Sequence, residues 1–355
     1  MEMQLGYGNR ASSSFSGFSF FGIRYKNLAK ILVTGGCGFV GSCVGALAAL
    51  HGHHVEVLDD LSSAYFSKDR RFKVHIGCIS DTTTLTTIYE RFKPDFVFHF
   101  AALSVVSKTF ENEIFCNKVN FSYASNLMNF FVQRQVPVFF ASTAAVYSSE
   151  TQTNEGYSED DESEAPLSPY AVSKLKAEGA LRKISVARNV PSIAFRFFNA
   201  AGALPDLDFG EYHQPETHLI PSLVRASIKQ DQKFTIFGHD FPTSDGTAIR
   251  DYVHVFDIAN AFLIAIGKIC DIRPGTVINL GSSNGYSVKS IIDRVENILD
   301  TKFIVDIRRR RIGDPARLVA NNSRAVEILN WRPKKNLDEM ILDTHRFLTT
   351  KLKTN

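Results

Sequence analysis

The chain has 355 residues, 44% of them apolar, so it is long enough to bury a large core and to form two lobes. Its 40 basic and 37 acidic residues give a formal net charge of +3 and are scattered along the chain. This balance excludes a general attraction to nucleic acids or membrane surfaces, and no apolar run approaches the roughly 20 residues that a transmembrane helix needs.

The N-terminal residues 1–28 differ in composition from the rest of the chain. They are rich in serine, glycine and aromatic residues, and Glu2 is their only acid. Serine and glycine interrupt the stretch 15–21, which is therefore a poor core for a secretory signal peptide. We expect residues 1–28 to be a disordered tail or an upstream start, with an organelle transit peptide as the alternative.

From residue 29 to residue 198, short β-branched or aromatic runs alternate with longer helical stretches. The runs predict strands at 31–33, 55–58, 73–76, 96–100, 138–140 and 193–197. Nearly continuous apolarity is typical of strands buried on both faces of a sheet. The alternation therefore predicts an α/β fold with a Rossmann-type doubly wound parallel sheet.

Beyond residue 199 the elements shorten, and proline and glycine become more frequent. This change predicts a smaller α/β lobe over 199–350, which would bind the substrate, with 249–270 as a strand-then-helix segment that can return to the first lobe. The acidic stretch 155–164 has no periodicity and predicts a solvated loop, with a charge-driven binding site as the alternative.

Three glycines, Gly35, Gly38 and Gly41, follow the first predicted strand and precede a helical stretch. Glycines at such a turn let the backbone approach a pyrophosphate, and the helix N-terminus offers it free N–H groups. Asp59 ends the second predicted strand, 18 residues after Gly41, where it can accept from a ribose 2′-hydroxyl and repel a 2′-phosphate. The cofactor predicted is NAD; the alternative is a glycine-rich turn with a surface aspartate.

Tyr170 and Lys174 are four residues apart on a predicted helix and share one face. A phenol titrates near ~10 in water, so a neighbouring ammonium would favour the phenolate and make the pair a proton-transfer device. Thr143 ends the fifth predicted strand, at the edge of the sheet where ligands bind, and its hydroxyl could hold a substrate oxygen. Taken separately, these residues also suit a solvated helix face and a strand-end turn.

Together these motifs resemble the extended short-chain dehydrogenase/reductase family, and the second half of the chain looks like its UDP-glucose 4-epimerase group. The matching stretches, which run in order within residues 29–350, are 34–41, 99–102, 196–202, 215–221, 236–238, 245–247, 250–255 and 313–319. The resemblance implies NAD-dependent epimerisation at C4 of a UDP-hexose through a transient 4-keto sugar, catalysed by a homodimer.

The resemblance also implies roles for individual residues. The catalytic residues are Thr143, Tyr170 and Lys174. The cofactor-binding residues are Gly35, Gly38, Phe39, Val40, Gly41, Asp59, Phe100, Ala101, Ala102, Asn120, Tyr170 and Lys174. The residues that bind the UDP-sugar are Asn199, His218, Leu219, Phe237, Arg250, Arg311, Asp314 and Leu318. Cys78 stands where the family usually has an aspartate that contacts the adenine, which predicts weaker cofactor binding.

Three other functions remain open. The sugar could be a UDP-N-acetylhexosamine or a UDP-pentose. The chain could be a nucleotide-sugar dehydratase or decarboxylase, although Ala144 and Ala145 follow Thr143 where the dehydratases carry an Asp-Glu pair. It could also be a non-catalytic NAD-binding protein. The arginine run 308–311 suits phosphate oxygens, and without a second basic cluster we predict no nucleic-acid site.

Two further predictions concern metals and the cellular compartment. His51, His53 and His54 crowd one turn, but no acidic or cysteine partner follows at ligand spacing, so no metal site is predicted. The five cysteines are odd in number and lack zinc-ligand spacing. They predict buried thiols in a reducing compartment and hence a cytoplasmic protein.

Overall fold

The computed structural model describes residues 28–62, 71–147, 156–161, 166, 168–231, 233–311 and 314–353. The predicted tail, apart from Leu28, lies outside the described residues, as does part of the acidic loop 155–164. Within the described ranges, no helix combines the length and the apolarity that crossing a membrane requires.

The strands fall into one large sheet and several small ones. In chain order they are β1 Lys30–Thr34, β2 His54–Asp59, β3 Lys73–Ile76, β4 Phe96–His99, β5 Val138–Thr143, β6 Ile193–Phe197, β7 Asn199–Ala201, β8 Ala203–Leu204, β9 Phe209–Gly210, β10 Lys233–Phe237, β11 Ile249–His254, β12 Thr276–Leu280, β13 Gly285–Ser287, β14 Ile304–Arg308 and β15 Arg317–Leu318.

The helices lie mostly between these strands. They are α1 Phe39–Leu50, α2 Thr82–Phe92, α3 Val106–Glu111, α4 Glu113–Asn117, α5 Ala124–Val132, α6 Pro169–Arg188, α7 Leu219–Lys229, α8 Val255–Gly267, α9 Val288–Leu299, α10 Ser323–Leu329 and α11 Leu337–Lys353. A π-helical turn spans Lys118–Tyr123, and short 3₁₀ turns span Ala144–Val146, Pro205–Leu207 and Ile269–Asp271.

The large sheet has the order β12-β6-β5-β4-β1-β2-β3, and all its neighbouring strands are parallel. All six predicted strands lie in it, so the α/β Rossmann-type fold class is confirmed. The strand order reverses between β1 and β4. In open parallel sheets, ligands bind beyond the carboxyl ends of the strands at such a reversal.

The chain returns to the large sheet after building part of the second lobe. The seventh strand, β12, comes from the region that the sequence assigned to that lobe. The segment 249–270 divides: β11 pairs with β7, β13 and β15 in a small sheet, whereas α8 packs against α1 on the large one. The division of the chain into 29–198 and 199–350 therefore stays a prediction, with both lobes sharing residues beyond 199.

An aromatic cluster joins α8 to the centre of the large sheet. The ring of Phe262 lies 5.1 Å from that of Phe98, 6.1 Å from Phe139 and 4.5 Å from Phe195, which come from β4, β5 and β6. All four side chains are fully buried. Because aromatic pairs at such distances stabilise beyond their buried area, this cluster holds three central strands of the sheet in a fixed relation.

Candidate active site

The glycine turn after β1 has no room for larger side chains. Gly35 has φ +71°, and a Cβ atom on it would lie 2.4 Å from the backbone nitrogen of Ala101. A Cβ on Gly41 would lie 2.4 Å from the carbonyl oxygen of Gly35. Gly38 is the N-cap of α1, with no side-chain cap and no acid in the first turn. An uncapped helix start behind a glycine cradle fits the diphosphate of a dinucleotide.

Asp59 ends β2 beside this turn. Its two carboxylate oxygens accept hydrogen bonds from the backbone N–H groups of Cys37 and Leu61, both at 2.9 Å. Burial raises the pKa of Asp59, and the two backbone hydrogen bonds lower it. A carboxylate offers further lone pairs, so the group can still accept from a ribose hydroxyl. The carboxylate of Asp59, as an acceptor for the ribose, and the glycine cradle, as a site for the diphosphate, together fit NAD.

The loop after β4 forms the opposite wall of the cradle. Phe100 and Ala101 donate their N–H groups to the carbonyl of Thr34 at 2.8 and 3.0 Å. Asn120 is buried; its side-chain oxygen accepts from Leu103 N–H at 2.8 Å, and its nitrogen donates to the Leu103 carbonyl at 3.0 Å. Asn120 therefore fixes the loop that carries Phe100, Ala101 and Ala102. Phe39 and Val40 begin α1, where Phe39 is buried and Val40 partly buried in the core.

The structure adds His99, which the sequence gave no separate role. Its Nδ1 lies 2.6 Å from Thr34 Oγ1, and its Nε2 is buried without a hydrogen-bond partner among the described residues. Burial, followed by the charge of Lys174, lowers the pKa of His99 to about 3. The imidazole is therefore neutral, with one polar atom unsatisfied beside the candidate site. The other residues of β4 are all apolar, so the sequence shows no alternation that would indicate which face His99 occupies.

Helix α6 brings Tyr170 and Lys174 to the end of β5. Ser168 caps this helix by accepting from Ala171 N–H at 3.2 Å. Lys174 is buried, and its Nζ donates to the Ala141 carbonyl at 2.8 Å, 6.0 Å from the centre of the Tyr170 ring. The side chain of Thr143 lies close enough to Tyr170 to lower the pKa of its phenol. The three predicted catalytic side chains thus lie together at the carboxyl edge of the sheet.

The titration of Tyr170 differs from the expectation that Lys174 tunes it toward neutrality. Burial raises the pKa of Tyr170 to about 12, while the neighbouring side chain of Thr143 acts to lower it. Burial likewise lowers the pKa of Lys174 to about 7, against the raising effect of Glu178. The expectation was wrong for this structure because it took account of a neighbouring cation but not of desolvation, which dominates both groups.

A buried ion pair lies one helical turn beyond Lys174, and the sequence analysis missed it. Arg196 of β6 places Nη2 2.8 Å from Glu178 Oε2, and Ser142 Oγ also donates to the Glu178 carboxylate. Arg196 Nη1 donates to the Tyr147 hydroxyl at 3.0 Å. The network ties α6 to β5 and β6, so it fixes the turn of helix that carries Lys174. Glu178 shares a helix face with Lys174, but Arg196 and Tyr147 reach it only once strand and helix are packed.

Strand pairing connects the catalytic edge to the predicted substrate residues. Thr143 is in register with Phe197 on β6. Asn199 begins β7 two residues later, and β7 pairs with β11. Arg250 on β11 is in turn in register with Leu318 on β15. These pairings link the catalytic edge to β7, β11 and β15 of the small lobe. Among the predicted substrate residues, Asn199 is the nearest along the chain to the catalytic edge.

The remaining predicted substrate residues form two contacts. Arg250 Nη2 lies 3.0 Å from Asp314 Oδ1, and its Nη1 donates to the Pro315 carbonyl at 2.8 Å. The Arg311 guanidinium lies 4.4 Å from the centre of the Phe237 ring, which is 38% exposed. Both arginines can still offer forked N–H donors to phosphate.

The N-terminus of α7 carries the last two predicted substrate residues. Leu219 is its first residue and His218 its N-cap. The Nδ1 of His218 contacts the Glu211 carboxylate, so this side chain is engaged within the loop before the helix.

Comparison with known proteins gives consistent matches over most of the chain. Residues 31–281 match the NAD dependent epimerase/dehydratase family. The chain is 34% identical over 313 residues to the UDP-glucose 4-epimerase of Halalkalibacterium halodurans, a match that covers 88% of this chain and 93% of that protein.

Two solved structures are similar as well. The UDP-glucose 4-epimerase from Bifidobacterium longum, in complex with NAD+ and UDP, aligns with a TM-score of 0.85 at 27% identity, over 92% of this chain and 100% of that one. The UDP-Glc/GlcNAc 4-epimerase from Campylobacter jejuni aligns with a TM-score of 0.76 at 33% identity, over 91% and 99%. The resemblance predicted from the sequence motifs is confirmed.

Proposed function

The chain belongs to the NAD dependent epimerase/dehydratase family, and from this premise we propose that it interconverts UDP-glucose and UDP-galactose by NAD-dependent epimerisation at C4. The observation that carries the proposal is the convergence of three side chains: Thr143 lies close enough to Tyr170 to lower its pKa, and Lys174 Nζ lies 6.0 Å from the centre of the Tyr170 ring. A phenol, a hydroxyl and an amine at the carboxyl edge of the sheet are the groups that proton transfer at a sugar hydroxyl needs.

Each residue then has one task. Thr143 orients the 4′-hydroxyl of the sugar and Tyr170, as the phenolate, takes its proton; Lys174, when protonated, offsets part of the burial cost of that phenolate. NAD, which the glycine turn, Asp59 and the loop after β4 would hold, would supply the hydride acceptor for C4. Arg250 and Arg311 hold the diphosphate while the keto-sugar turns to present its other face, and Tyr170 gives the proton back.

The alternative of a dehydratase is disfavoured by the residues after Thr143. Ala144 and Ala145 form a 3₁₀ turn there and carry neither acid nor base. Elimination of water needs both groups close to the sugar. A non-catalytic NAD-binding protein would not require Thr143, Tyr170 and Lys174 to meet.

We expect the purified protein to carry NAD and not NADP. Asp59 lies where a 2′-phosphate would meet its negative charge, and the cycle regenerates the cofactor without exchange. Mass spectrometry of the supernatant after denaturation identifies the nucleotide. Partial loading agrees with Cys78 at the predicted adenine position; release of NADP would overturn the role of Asp59.

Arg250→Ala and Arg311→Ala should each weaken the binding of UDP itself by about 1.5–3 kcal/mol, the contribution of a hydrogen bond to a charged group. Calorimetric titration with UDP measures this directly. Arg309→Ala is a control in the same arginine run, outside the predicted contacts. Unchanged UDP affinity in both variants would mean that the diphosphate binds elsewhere.

Leu318 should influence the choice of sugar. It is partly buried against a cluster that includes Ala144, Tyr147 and Phe198, and Ala144 directly follows Thr143. Leucine is intermediate between an aromatic side chain, which excludes a 2-acetamido group in the epimerases that this chain resembles, and a small one, which admits it. We expect UDP-glucose and UDP-galactose to be the principal pair, with weaker activity on the N-acetylated pair.

Leu318→Tyr should abolish the N-acetyl activity and leave the principal activity largely intact, because the ring fills the space that the acetamido group needs. Rates on UDP-galactose and UDP-N-acetylgalactosamine, compared with those of the near-isosteric Leu318→Met, measure the selectivity. Wild-type preference for N-acetylated sugars, or an unchanged preference in the tyrosine variant, would place the cavity wall elsewhere.

We also propose that the protein is a cytoplasmic homodimer. The resemblance supports the dimer, and α3 and α4 expose large apolar side chains that a second copy could cover: Val106, Phe110, Ile114 and Phe115. The thiols of Cys43, Cys78, Cys116 and Cys270 are free, as in a reducing compartment. Cys43 and Cys116 are buried as predicted, whereas Cys78 is half-buried and Cys270 is exposed, so the prediction of buried thiols was wrong for these two. Light scattering during size-exclusion chromatography gives the mass of the assembly.

A further inference from the structure

A cluster of potential metal ligands lies outside the catalytic edge, in the loop between β9 and α7. Glu211, His213, Glu216 and His218 each turn one side-chain nitrogen or oxygen inward, and these four atoms all lie within 4.8 Å of one another. The spacing is Glu-x-His-x-x-Glu-x-His. This set was not predicted from the sequence, because alternating acids and histidines in a loop match no common zinc motif.

The two imidazoles approach the same carboxylate. His213 Nδ1 lies 3.0 Å from Glu211 Oε1, and His218 Nδ1 contacts the same oxygen. Both Nδ1 atoms are 3.8 Å from Glu216 Oε1. The ligand atoms of a tetrahedral zinc site are ~3.3–3.6 Å apart, given bond lengths of ~2.0–2.2 Å. The four groups are therefore close to that geometry, and only small side-chain movements separate them from it.

The backbone around the cluster is well fixed. Glu211 follows the β8–β9 pair, where a Cβ atom on Gly210 would lie 2.6 Å from the ring of Phe347 on α11. The Glu216 carboxylate accepts from the N–H groups of Thr217 at 2.8 Å and His218 at 3.0 Å. These contacts hold the ligands in place before any ion binds, which reduces the ordering cost of binding.

The two carboxylates of the cluster need a compensating positive charge. The side chains of Glu211 and Glu216 are 3% and 4% exposed, so two carboxylates are buried next to each other. Buried like charges are unfavourable unless positive charge compensates them. Two protonated imidazoles would do so, as would one divalent ion bound by two neutral imidazoles. Two nitrogen and two oxygen donors suit zinc better than Mg²⁺ or Ca²⁺, which prefer oxygen ligands.

We propose that Glu211, His213, Glu216 and His218 bind one Zn²⁺ ion in a closed, four-coordinate structural site. The ion fixes His218 at the N-cap of α7 and so positions Leu219, the next residue. The side chain of His218 is then a metal ligand instead of a direct substrate contact.

Zinc content tests this proposal. The protein is purified without a metal-affinity tag, dialysed against a low concentration of ZnCl₂ and then against metal-free buffer, and analysed by inductively coupled plasma mass spectrometry. We expect about one zinc per chain in the wild type and none in the His213→Ala/Glu216→Gln double variant. The matched control is His75→Ala, which breaks another His–Glu pair, with Nε2 2.5 Å from Glu56 Oε2, and should leave zinc content unchanged. A zinc-free wild type, or equal zinc in the double variant, would overturn the site.

Two measurements on the wild type cover the case in which the double variant does not fold. Zinc should raise the melting temperature of chelator-treated protein, whereas Mg²⁺ should not, because an ion that binds only the folded state stabilises it. Co²⁺ in place of zinc should show the intense visible bands of a four-coordinate ion. An unchanged melting temperature, or the weak spectrum of six-coordinate cobalt, would contradict the proposal and favour protonated imidazoles.

Discussion

Tyr170→Phe is expected to lower turnover on UDP-galactose by about 10²-fold or more, the usual contribution of a general base. The substitution keeps the ring and removes only the hydroxyl, which lies beside Thr143. UDP affinity should stay near that of the wild type, because the predicted diphosphate contacts lie on β11 and the segment before β15. Steady-state kinetics and UDP titration separate the two effects.

Tyr89→Phe is the matched control for this substitution. Tyr89 lies on α2, where its ring packs against Phe130 and Phe131, outside the predicted catalytic and binding residues. Its turnover should equal that of the wild type. Near wild-type turnover in Tyr170→Phe would show that another group moves the proton.

Lys174→Ala should reduce turnover to a similar extent, about 10²-fold. Burial raises the pKa of Tyr170 to about 12 in this structure. We expect the phenolate to be harder still to form when no cation lies beside it. The variant also loses the hydrogen bond from Nζ to the Ala141 carbonyl, which ties α6 to β5. Turnover and melting temperature are therefore measured together.

Lys176→Ala controls for the loss of a lysine from the same helix. Lys176 is exposed on α6, so its removal should change neither quantity. If Lys174→Ala retains its turnover, the lysine is not part of the proton-transfer step. Should turnover fall only in proportion to the folded fraction, the role of Lys174 would be structural.

The large sheet was predictable because its strands are buried on both faces. Runs such as 96–100 and 193–197 are almost continuously apolar. The local sequence alone therefore indicates a buried strand, without knowledge of its neighbours in the sheet. β12 was not assigned to the sheet because its neighbour, β6, lies some 80 residues earlier in the chain. Parallel pairing over that separation leaves no local signal.

The site residues that could be predicted are mainly those whose spacing along the chain brings them together locally. Gly35 and Gly41, or Tyr170 and Lys174, are related by a turn or by one helical turn. The Glu178–Arg196 pair and the position of His99 depend on packing between elements, as does desolvation. The pKa of Tyr170 was predicted in the wrong direction for the same reason, since burial cannot be read from a spacing of four residues.

The most direct test of the central proposal is to incubate the purified protein with UDP-galactose, without added NAD, and to identify the product by chromatography and NMR. UDP-N-acetylgalactosamine and UDP-xylose are tested in parallel. The account predicts that UDP-galactose is converted to an equilibrium mixture with UDP-glucose, with no net accumulation of NADH. A dehydrated or decarboxylated product, or no conversion of UDP-galactose by protein that carries NAD, would contradict it.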